Sequence, residues 1–295
     1  MVSVIIPTQN RKEMLLDLLH SIDETGFTDL EIIVVDNNST DGTPDSVQTL
    51  FPRVKLIRNT TNQYAAASRN QAMRTAKGKY FLCIDDDNVI DRNMIKELAA
   101  LMETHPEAGM AGPKMFFFGT KTLLYCGARI SHWTSLNRYC GADHEDSGQF
   151  NAVCETHHIP NVWITRREAH EAVGGMSEDY RIIFEEADYA VRIAKAGYKI
   201  LFCPAAITYH RIPPPEPGRK LFKNPERAFL QARNRAVYMR RCASPLQQIF
   251  FFLFIFPLIS AGYVYLLFRS GDYDVLAAHI KGTYAGLRFA VAGKM

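Results

Sequence analysis

The first 84 residues alternate between short apolar runs and helical patterns, and this alternation limits the fold more than any other feature. Val2–Pro7 and Glu31–Val35 are rich in β-branched residues, and Lys12–Ile22 between them repeats apolar residues at helical spacing. Antiparallel strands can be joined by a tight turn, whereas parallel strands need a long crossover connection, which is usually a helix. The helix between these two runs therefore indicates that the strands are parallel. The chain therefore begins with a βαβ unit.

The same alternation continues along the chain. Further strands are predicted at Lys55–Arg58 and Tyr80–Ile84, with a helix around Ala65–Thr75 between them. Strands that form unbroken apolar runs are typical of a parallel sheet that is buried on both faces. The sequence therefore predicts an α/β fold with a mostly parallel central sheet and flanking helices.

Ligands of such sheets bind beyond the carboxyl ends of the strands, so the residues that follow each strand are the ones to inspect. They are Pro7 and Thr8, Asp36 to Asn38, and Asp85 to Asp87. The chain has no G-x-G-x-x-G after the first strand and no P-loop sequence, which argues against the usual dinucleotide and P-loop functions. The formal net charge of +3 is too small to indicate a nucleic-acid partner.

Three consecutive aspartates, Asp85, Asp86 and Asp87, follow a predicted buried strand, and no basic residue is adjacent in the sequence. Clustered carboxylates repel one another unless a cation lies among them. Hard oxygen ligands suit Mn²⁺ or Mg²⁺, and such an ion can bridge the two phosphates of a diphosphate. The cluster therefore predicts a metal site, with a solvated acidic turn as the alternative. Asp36 can accept hydrogen bonds from a nucleobase or ribose, or can form an Asx turn or a helix cap.

A second group of acidic residues starts a predicted helix. Asp188 and Arg192 are spaced i, i+4 and are expected to pair, which leaves Glu185 and Glu186 without a partner at the helix N-terminus. A carboxylate in that position is a candidate general base for an acceptor hydroxyl, and attraction to the helix dipole is the alternative explanation.

Three further residues are candidates with structural alternatives. His210 follows the apolar run ILFCPAAITY and is either a metal ligand or an ordinary histidine at a strand end. Asn161 and Trp163 precede the predicted base and are candidates for binding the acceptor, because an aromatic face can stack on a sugar. Core packing is the alternative for Trp163.

The composition changes from Ile212. The sequence IPPPEPG breaks the helical pattern, the stretch from Gly218 to Gln248 carries eight basic residues against the acid Glu226, and Ile249–Phe268 has twenty residues without charge. A helix of that length rises about 30 Å, the hydrocarbon thickness of a bilayer. We expect a catalytic domain at 1–215, a basic linker and juxtamembrane helix at 216–245, and a membrane-associated segment at 246–295.

The topology of the last segment is open, because basic residues follow the apolar run: Arg269, Lys281, Arg288 and Lys294. A single span, a hairpin and a re-entrant or interfacial helix all fit this pattern. The six cysteines are scattered without a C-x-x-C pair, which favours reduced structural thiols over a zinc site or disulfides. We expect the catalytic domain to face the cytosol.

The ordered segments VSVIIPTQNR, VVDNNSTDGT, ASRNQA, FLCIDDDN, VGGMSEDY, FEEADYAVRIAKAGY and ITYH resemble the inverting family 2 glycosyltransferases of the GT-A fold. The likeness is greatest to the rhamnosyl- and galactofuranosyltransferase-like branch, and it covers about Val2 to Arg211. The resemblance implies a nucleotide-diphospho-sugar transferase fold followed by membrane-associated helices.

The resemblance also assigns roles to matching positions. Glu186 lies where the family has its catalytic aspartate, with Glu185 and Asp188 as neighbouring candidates. Asp87, Asp85 and His210 match the metal-binding positions, which implies Mn²⁺ or Mg²⁺ as the cofactor. The candidates for nucleotide binding are Pro7, Thr8, Asn10, Asp36, Asn38, Arg69, Asn70, Asp85 and Asp86.

Two departures from the family pattern stand out. Tyr64 occupies a position where many members have glycine, and Glu186 is one methylene longer than aspartate. Glutamate has nearly the same intrinsic pKa as aspartate, so base chemistry is retained.

The resemblance implies transfer of a sugar, with inversion, from a nucleotide diphosphate donor to a hydroxyl of a lipid-linked or polysaccharide glycan. UDP or dTDP is favoured as the nucleotide, and GDP is possible. One alternative is a membrane-bound protein that binds nucleotide sugars without turnover. Another is a sugar nucleotidyltransferase, which we expect to have a glycine-rich basic loop after the first strand, whereas PTQNRKE contains no glycine.

Overall fold

A computed structural model describes residues 1–212, 222 and 224–293. The strands are β1 Val2–Thr8, β2 Leu30–Asn37, β3 Lys55–Asn59, β4 Tyr80–Ile84, β5 Asn88–Ile90, β6 Ala108–Phe117, β7 Leu123–Tyr125, β8 Ala128–Ile130, β9 Asn137–Tyr139, β10 Cys154–Glu155, β11 Val162–Arg166 and β12 Lys199–His210. The α-helices are α1 Lys12–Glu24, α2 Thr43–Leu50, α3 Tyr64–Thr75, α4 Met94–Thr104, α5 Arg167–Val173, α6 Glu185–Lys195, α7 Pro225–Cys242, α8 Pro245–Phe250, α9 Phe256–Ser270 and α10 Tyr273–Ala292.

The N-terminal half forms the parallel part of the main sheet. β1 lies between β2 and β4, and β3 pairs with β2, all in parallel register. The side chains of β4 are all buried, which explains why this strand is apolar without alternation. The predicted strands and helices up to residue 84 are confirmed, with bounds that differ by at most a few residues. The α/β prediction is therefore correct.

Two later strands bring distant residues to the carboxyl edge of the parallel strands. β11 lies between β4 and β6 and is antiparallel to both, so Asn161, just before its first residue, meets the end of β4. The amide of Asp85 donates a hydrogen bond of 3.3 Å to the carbonyl of Asn161. β12 ends at His210, which pairs with Asn88 of β5, directly after the three aspartates. Sheet pairing therefore assembles the candidate residues at one edge.

The C-terminal helices pack together beside the sheet domain. α10 runs parallel to α7, and Gly282 lies so close to Phe229 that a β-carbon there would overlap the backbone of α7. Gly286 makes a similar close approach to Ala236. α8, a π-helical turn at Phe251–Ile255 and α9 form one continuous helix, Pro245–Ser270, which runs back along α7.

The Pro245–Ser270 helix is long and apolar enough to cross a membrane, the single such helix among the described residues. Its inner face packs on α7 through Phe251 and Phe256. Its outer face exposes large apolar side chains: Leu246, Ile249, Phe250, Leu253, Phe254, Leu258, Tyr265, Leu266 and Phe268. The helix therefore covers part of the domain with one face and presents an apolar surface with the other.

Some expectations for the C-terminal region concern residues outside the described ranges. Most of the IPPPEPG break, the proposed boundary between residues 215 and 216, and Lys294 belong to this group. All six cysteines are described and are free thiols.

Candidate functional site

The first of two neighbouring cavities, which we call the aspartate cavity, has a volume of about 630 Å³. It opens beyond the ends of β1 and β4, the edge at which ligands of such sheets bind. Its lining includes residues from the strand ends, the start of α3 and the start of α7: Pro7, Thr8, Gln9, Arg11, Asn37, Asn62, Tyr64, Ala65, Asp85, Asp86, Asp87, Asn161, Ile182, His210, Ile212, Asn224, Glu226 and Arg227.

The aspartates of this cavity have a basic partner from elsewhere in the chain, although no basic residue is adjacent to them in the sequence. Arg11 donates from Nη1 to Asp86 Oδ1 at 2.8 Å and to Asp87 Oδ2 at 2.7 Å. The hydroxyl of Thr8 donates to Asp86 Oδ2 at 2.7 Å. Burial raises the pKa of Asp86 to about 6, although Arg11 and Thr8 act in the opposite direction. Arg11 lies in the β1–α1 loop, about 75 residues before the aspartates that it contacts.

Asp87 and His210 face each other at the base of the cavity. Nε2 of His210 lies 3.2 Å from Asp87 Oδ1, which is a buried atom. Burial would raise the pKa of Asp87, but His210 and Arg11 outweigh burial and lower it to about 2. A ligand pair of this kind fits Mn²⁺ or Mg²⁺, which bind proteins through one or two side chains and take further ligands from substrate phosphates and water.

A metal ion at this point would have few protein ligands. Within the described residues, no group of three or more histidine, cysteine or acidic side chains is arranged to hold an ion. Asp85, the third residue predicted as a ligand, turns its carboxylate toward Arg69 instead, at 2.5 Å. The donor set therefore fits an ion that shares its coordination sphere with a bound diphosphate.

The second cavity, which we call the glutamate cleft, has a volume of about 690 Å³ and adjoins the first. Five residues line both: Ala65, Asp85, Asn161, Ile182 and Arg227. Its other walls come from the β8–β9 region, the start of α6, α7 and α9: Arg69, Ser135, Leu136, Asn137, Tyr139, His158, Pro160, Ile183, Phe184, Glu185, Glu186, Ala187, Phe222, Gln231, Arg235 and Tyr263.

Arg69 joins the carboxylates of the two cavities. Its guanidinium is 1% exposed and lies 3.0 Å from Glu186 Oε1 and 3.7 Å from Glu185 Oε1, in addition to its contact with Asp85. The expectation that Glu185 and Glu186 have no partner is therefore wrong. The sequence did not reveal the pairing because α3 and α6 are more than one hundred residues apart.

The two glutamates differ in their surroundings. Burial raises the pKa of both, and the proximity of the negative Glu186 raises that of Glu185 further. Glu186 lies closer to Arg69, and its Oε1 accepts a 3.0 Å hydrogen bond from the backbone amide of Asn161. Its pKa is raised only to about 6. Glu186 is therefore the more readily ionised of the two.

Asn161 holds this corner of the site through its backbone. Its φ of 61° lies in the left-handed region, which asparagine tolerates better than most residues. In this conformation its amide binds Glu186 and its carbonyl binds the amide of Asp85. Asn161 lines both cavities, and its role in binding the acceptor stays a prediction.

Several residues predicted to bind the nucleotide lie at the edge of the aspartate cavity, not on its lining. Asp36 is buried, and its Oδ2 accepts from the amide of Ser39, as in the Asx turn considered as an alternative. Asn10 accepts from the amide of Thr40 and so ties the first two strand-end loops together. Asn38 is exposed in that turn with a φ of 62°. Asp36 Oδ1 remains buried without a partner.

Three other candidates make contacts within the protein that account for their positions. Asn70 bonds the backbone of Met176 through both its Oδ1 and its Nδ2, which ties α3 to the segment before α6. Asp188 is buried and pairs with Arg192 at 2.7 Å, as the i, i+4 spacing predicts, and it lines neither cavity. Trp163 is fully buried with Arg69 over its ring, so the core-packing alternative describes it.

Tyr64, which replaces the family glycine, has a φ of 63°, so a left-handed backbone is retained there without glycine. Its side chain lines the aspartate cavity, and its hydroxyl donates to Glu226 of α7 at 2.5 Å. The replacement therefore changes the cavity and connects α3 to α7.

Residues of α7 and α9 that line the glutamate cleft are not among the residues predicted for the site. In the sequence, Arg227 and Arg235 belong to a basic juxtamembrane stretch, and Tyr263 belongs to an apolar run. The spacing of three of these residues indicates a shared surface, because Arg227, Gln231 and Arg235 recur at every fourth position and lie on one face of α7.

Comparison with known proteins places these features in a family. The model of glycosyl transferase family 2 matches residues 3–173, more than half of the chain. A curated relative, the GalNAc(5)-diNAcBac-PP-undecaprenol beta-1,3-glucosyltransferase of Campylobacter jejuni, is 37% identical over 105 residues, which cover 34% of this chain and 33% of the relative. The chain spans only 24% and 36% of the length of two other curated relatives that it matches.

Solved structures share the fold at low sequence identity. The mannosyltransferase PcManGT from Pyrobaculum calidifontis, in complex with GDP-Man and Mn²⁺, has a TM-score of 0.57 and 18% identity, with 97% of this chain and 86% of that chain covered. Residues 1–349 of S. aureus TarS, in complex with UDP-GlcNAc, have a TM-score of 0.55 and 21% identity, with 82% and 67% covered. The sheet order and this likeness identify the fold as GT-A. With the family model matched over more than half of its length, the chain belongs to glycosyl transferase family 2.

Proposed function

We propose that this protein is an inverting glycosyltransferase that moves a sugar from a nucleotide diphosphate donor to a glycan hydroxyl. The observation that carries the proposal is the junction of the two cavities. Asp85 and Asn161 line both, and Asn161 hydrogen-bonds Glu186. A donor diphosphate in the aspartate cavity would therefore present its sugar toward the carboxylate of the glutamate cleft.

Glu186 is the residue we propose as general base. Its carboxylate is fixed by Arg69 and by the Asn161 amide, so it can take a proton from an acceptor hydroxyl with little reorganisation. The hydroxyl oxygen then attacks the anomeric carbon on the face opposite the diphosphate, and the configuration inverts in a single displacement. Glu185 is more buried and more difficult to ionise, and Asp188 is committed to Arg192, so neither is the preferred base.

Asp87 and His210 are the residues that would hold a divalent ion. When bound, the ion neutralises the charge that develops on the diphosphate leaving group. Arg11 contacts Asp86 and Asp87, and its partly exposed side chain can turn from these aspartates to phosphate oxygens. Thr8 keeps Asp86 oriented beside them. Mn²⁺ in the solved mannosyltransferase supports the choice of ion.

The identity of the donor nucleotide is proposed from the sequence motifs and from two structural neighbours. UDP or dTDP is favoured and GDP is possible, and the structural neighbours are complexes with UDP-GlcNAc and with GDP-Man. The rhamnosyl- and galactofuranosyltransferase-like branch remains our proposal from the sequence motifs. We propose a lipid-linked or polysaccharide glycan as acceptor, because the Campylobacter relative is named for an undecaprenol-linked glycan.

We propose that the protein attaches to the cytosolic face of a membrane through the outer face of the Pro245–Ser270 helix. Leu253 and Leu258 on that face are 65% and 71% exposed. The helix runs along α7, which carries arginines that line the glutamate cleft, and α10 returns along the same helix. These contacts favour a helix that lies in the membrane interface over a single span, because a span would draw the charges of α7 into the bilayer.

Thermal-shift measurements test donor binding. The full-length protein in detergent is heated with UDP, dTDP or GDP, each with Mn²⁺ or with EDTA. A ligand of the native state raises the melting temperature by mass action, so one nucleotide with Mn²⁺ should do so and EDTA should abolish the shift. Asp87→Asn should lose the shift, and Asp143→Asn, in an exposed turn, should retain it. The absence of any nucleotide shift in the unchanged protein would refute the proposal.

A transfer assay separates the enzyme from its alternatives. The nucleotide sugar that binds is incubated with lipid-linked glycan acceptors, and release of nucleoside diphosphate is followed by chromatography. Formation of an inverted glycosidic product supports transfer. Binding without turnover under all conditions would indicate a nucleotide-sugar-binding protein, and release of pyrophosphate from a sugar phosphate and a nucleoside triphosphate would indicate a nucleotidyltransferase.

A further inference from the structure

One face of α7 brings two arginines into the glutamate cleft. Arg227, Gln231 and Arg235 recur at every fourth position, and all three line this cleft. Arg227 also lines the aspartate cavity, whereas Arg235 does not. The stripe therefore runs from the junction of the two cavities into the part of the cleft that the C-terminal helices enclose.

Arg235 is a buried cation that has no acidic partner in the part of the chain that the structure describes. Its residue is 4% exposed, and no carboxylate of the described residues lies within ion-pair distance. Its Nη1 donates to Ser135 Oγ at 2.8 Å, and its guanidinium lies 5.8 Å from the centre of the Phe184 ring. Burial lowers its pKa, which is the effect of holding a charge away from water.

A buried charge without a counter-ion is unfavourable, so its presence beside a cavity needs an explanation. Other buried or partly buried cations near the reaction centre are neutralised: Arg69 has three carboxylates and Arg11 has two. Arg235 can form up to five hydrogen bonds, and its partners among the described residues are the neutral groups of Ser135 and Tyr263, which leave its charge uncompensated. An anionic group of a ligand would supply the missing partner.

The surroundings of Arg235 indicate the source of that anion. Tyr263 lines the cleft beside Arg235 and belongs to the helix whose outer face is apolar and exposed. A ligand that passes Tyr263 would have one end near Glu186 and the other near this apolar surface. Guanidinium groups are well suited to phosphate, because their planar N–H groups match its oxygens.

We propose that Arg235, with Arg227 and Gln231, binds the phosphate or diphosphate group of a lipid-linked acceptor. The glycan then extends toward Glu186, and the prenyl chain leaves along the exposed face of the Pro245–Ser270 helix. This assignment rests on the proposed transferase function and specifies its acceptor. The donor diphosphate belongs in the aspartate cavity, near Asp87 and His210, so the two phosphate sites are separate.

Binding of farnesyl diphosphate tests the site. The full-length protein in detergent is titrated calorimetrically with farnesyl diphosphate, farnesol or inorganic pyrophosphate, always with EDTA to prevent metal-dependent binding in the aspartate cavity. We expect farnesyl diphosphate to bind, and Arg235→Gln to weaken this binding by at least about tenfold. Arg240→Gln is the matched control, because Arg240 is exposed on the same helix outside the cleft and its side chain bonds Ala290 and Gln248.

The other ligands distinguish the sources of phosphate. Farnesol should bind much more weakly than farnesyl diphosphate, since it lacks the anion. If pyrophosphate binds as tightly as farnesyl diphosphate, the site is one for free phosphate and the lipid assignment is wrong. If Arg235→Gln leaves farnesyl diphosphate binding unchanged, the phosphate site is elsewhere.

Two further measurements distinguish phosphate binding by Arg235 from a purely structural role and from a role in donor binding. Arg235→Gln should not lower the melting temperature of the ligand-free protein, because it removes an unpaired buried charge; a marked decrease would indicate a structural arginine. Nucleotide binding with Mn²⁺ should also be unchanged in this variant, and its loss would assign Arg235 to the donor. If the unchanged protein binds farnesyl diphosphate but no nucleotide, the transferase proposal fails independently.

Discussion

Replacing Arg69 with glutamine should shift the pH dependence of transfer to higher pH. Arg69 lies 3.0 Å from Glu186 and also contacts Asp85 and Glu185, so it is the positive group that keeps Glu186 ionisable in a buried site. A general base acts only when deprotonated, and the pKa of Glu186 is raised to about 6. In the unchanged protein, activity should therefore rise with pH through this value.

The size of the shift follows from the ion pair. An ion pair at about 4 Å contributes about 4 kcal/mol at an effective dielectric constant near 20, and one pKa unit corresponds to about 1.4 kcal/mol, which gives an upper limit of about three units. Solvent entry and protonation of the neighbouring carboxylates reduce this, so we expect a rise of at least about one unit. At pH 6 the ionised fraction of Glu186 would then fall from about one half to about one tenth, a fivefold loss.

The assay is kcat/KM for transfer between pH 5 and pH 9, because this ratio reports the pKa of the base in the free enzyme. Arg74→Gln is the matched control, since Arg74 is exposed on the same helix and makes only a 3.9 Å contact with Glu178. Circular dichroism checks that both variants are folded. A loss of activity in Arg69→Gln that is equal at every pH, with the midpoint still near 6, would show that Arg69 does not control the ionisation of Glu186.

Three further predictions follow from the site and the C-terminal surface. EDTA, or Asp87→Asn with Mn²⁺ present, should reduce transfer to background; full activity of the variant in EDTA would exclude the metal role. Glu186→Gln should retain nucleotide affinity in a thermal-shift assay and lose transfer by at least about 10²-fold, because an amide cannot take the proton, while Glu185→Gln should lose less; the reverse order would make Glu185 the base. Leu253→Glu combined with Leu258→Glu should move the full-length protein from the membrane pellet to the supernatant, and an unchanged distribution would place the attachment elsewhere.

The fold and the location of the site were predictable because both depend on local patterns. Unbroken apolar runs identify parallel strands, and the polar residues after each run must meet at one edge of the sheet. Thr8 and Asp85 to Asp87 do line the aspartate cavity, as this argument requires. His210 lies in the same cavity because β12 ends beside β5. Local sequence patterns do not predict this pairing of distant strands.

The partners of the acidic residues could not be predicted, since they depend on contacts between distant segments. Arg11 and Arg69 are in the β1–α1 loop and α3, and their carboxylates follow β4 or begin α6. A sequence shows which charges are present but not which ones meet. The hydrogen bonds between the side chain of Asn70 and the backbone of Met176 could not be predicted for a related reason, because the two residues are distant in sequence.

The C-terminal helices connect the proposed membrane-binding surface to the candidate site. The Pro245–Ser270 helix packs on α7 with its inner face, and Tyr263 of that helix lines the same cleft as Glu186. α7 in turn reaches the aspartate cavity, where Glu226 accepts a hydrogen bond from Tyr64. The Pro245–Ser270 helix packs directly on α7, and α7 contributes residues to both cavities. A movement of the Pro245–Ser270 helix would therefore change the shape of both cavities. In the arrangement that we propose, the exposed apolar face would hold the protein at the membrane while Arg235 binds the acceptor phosphate, so the same group of helices would serve both roles.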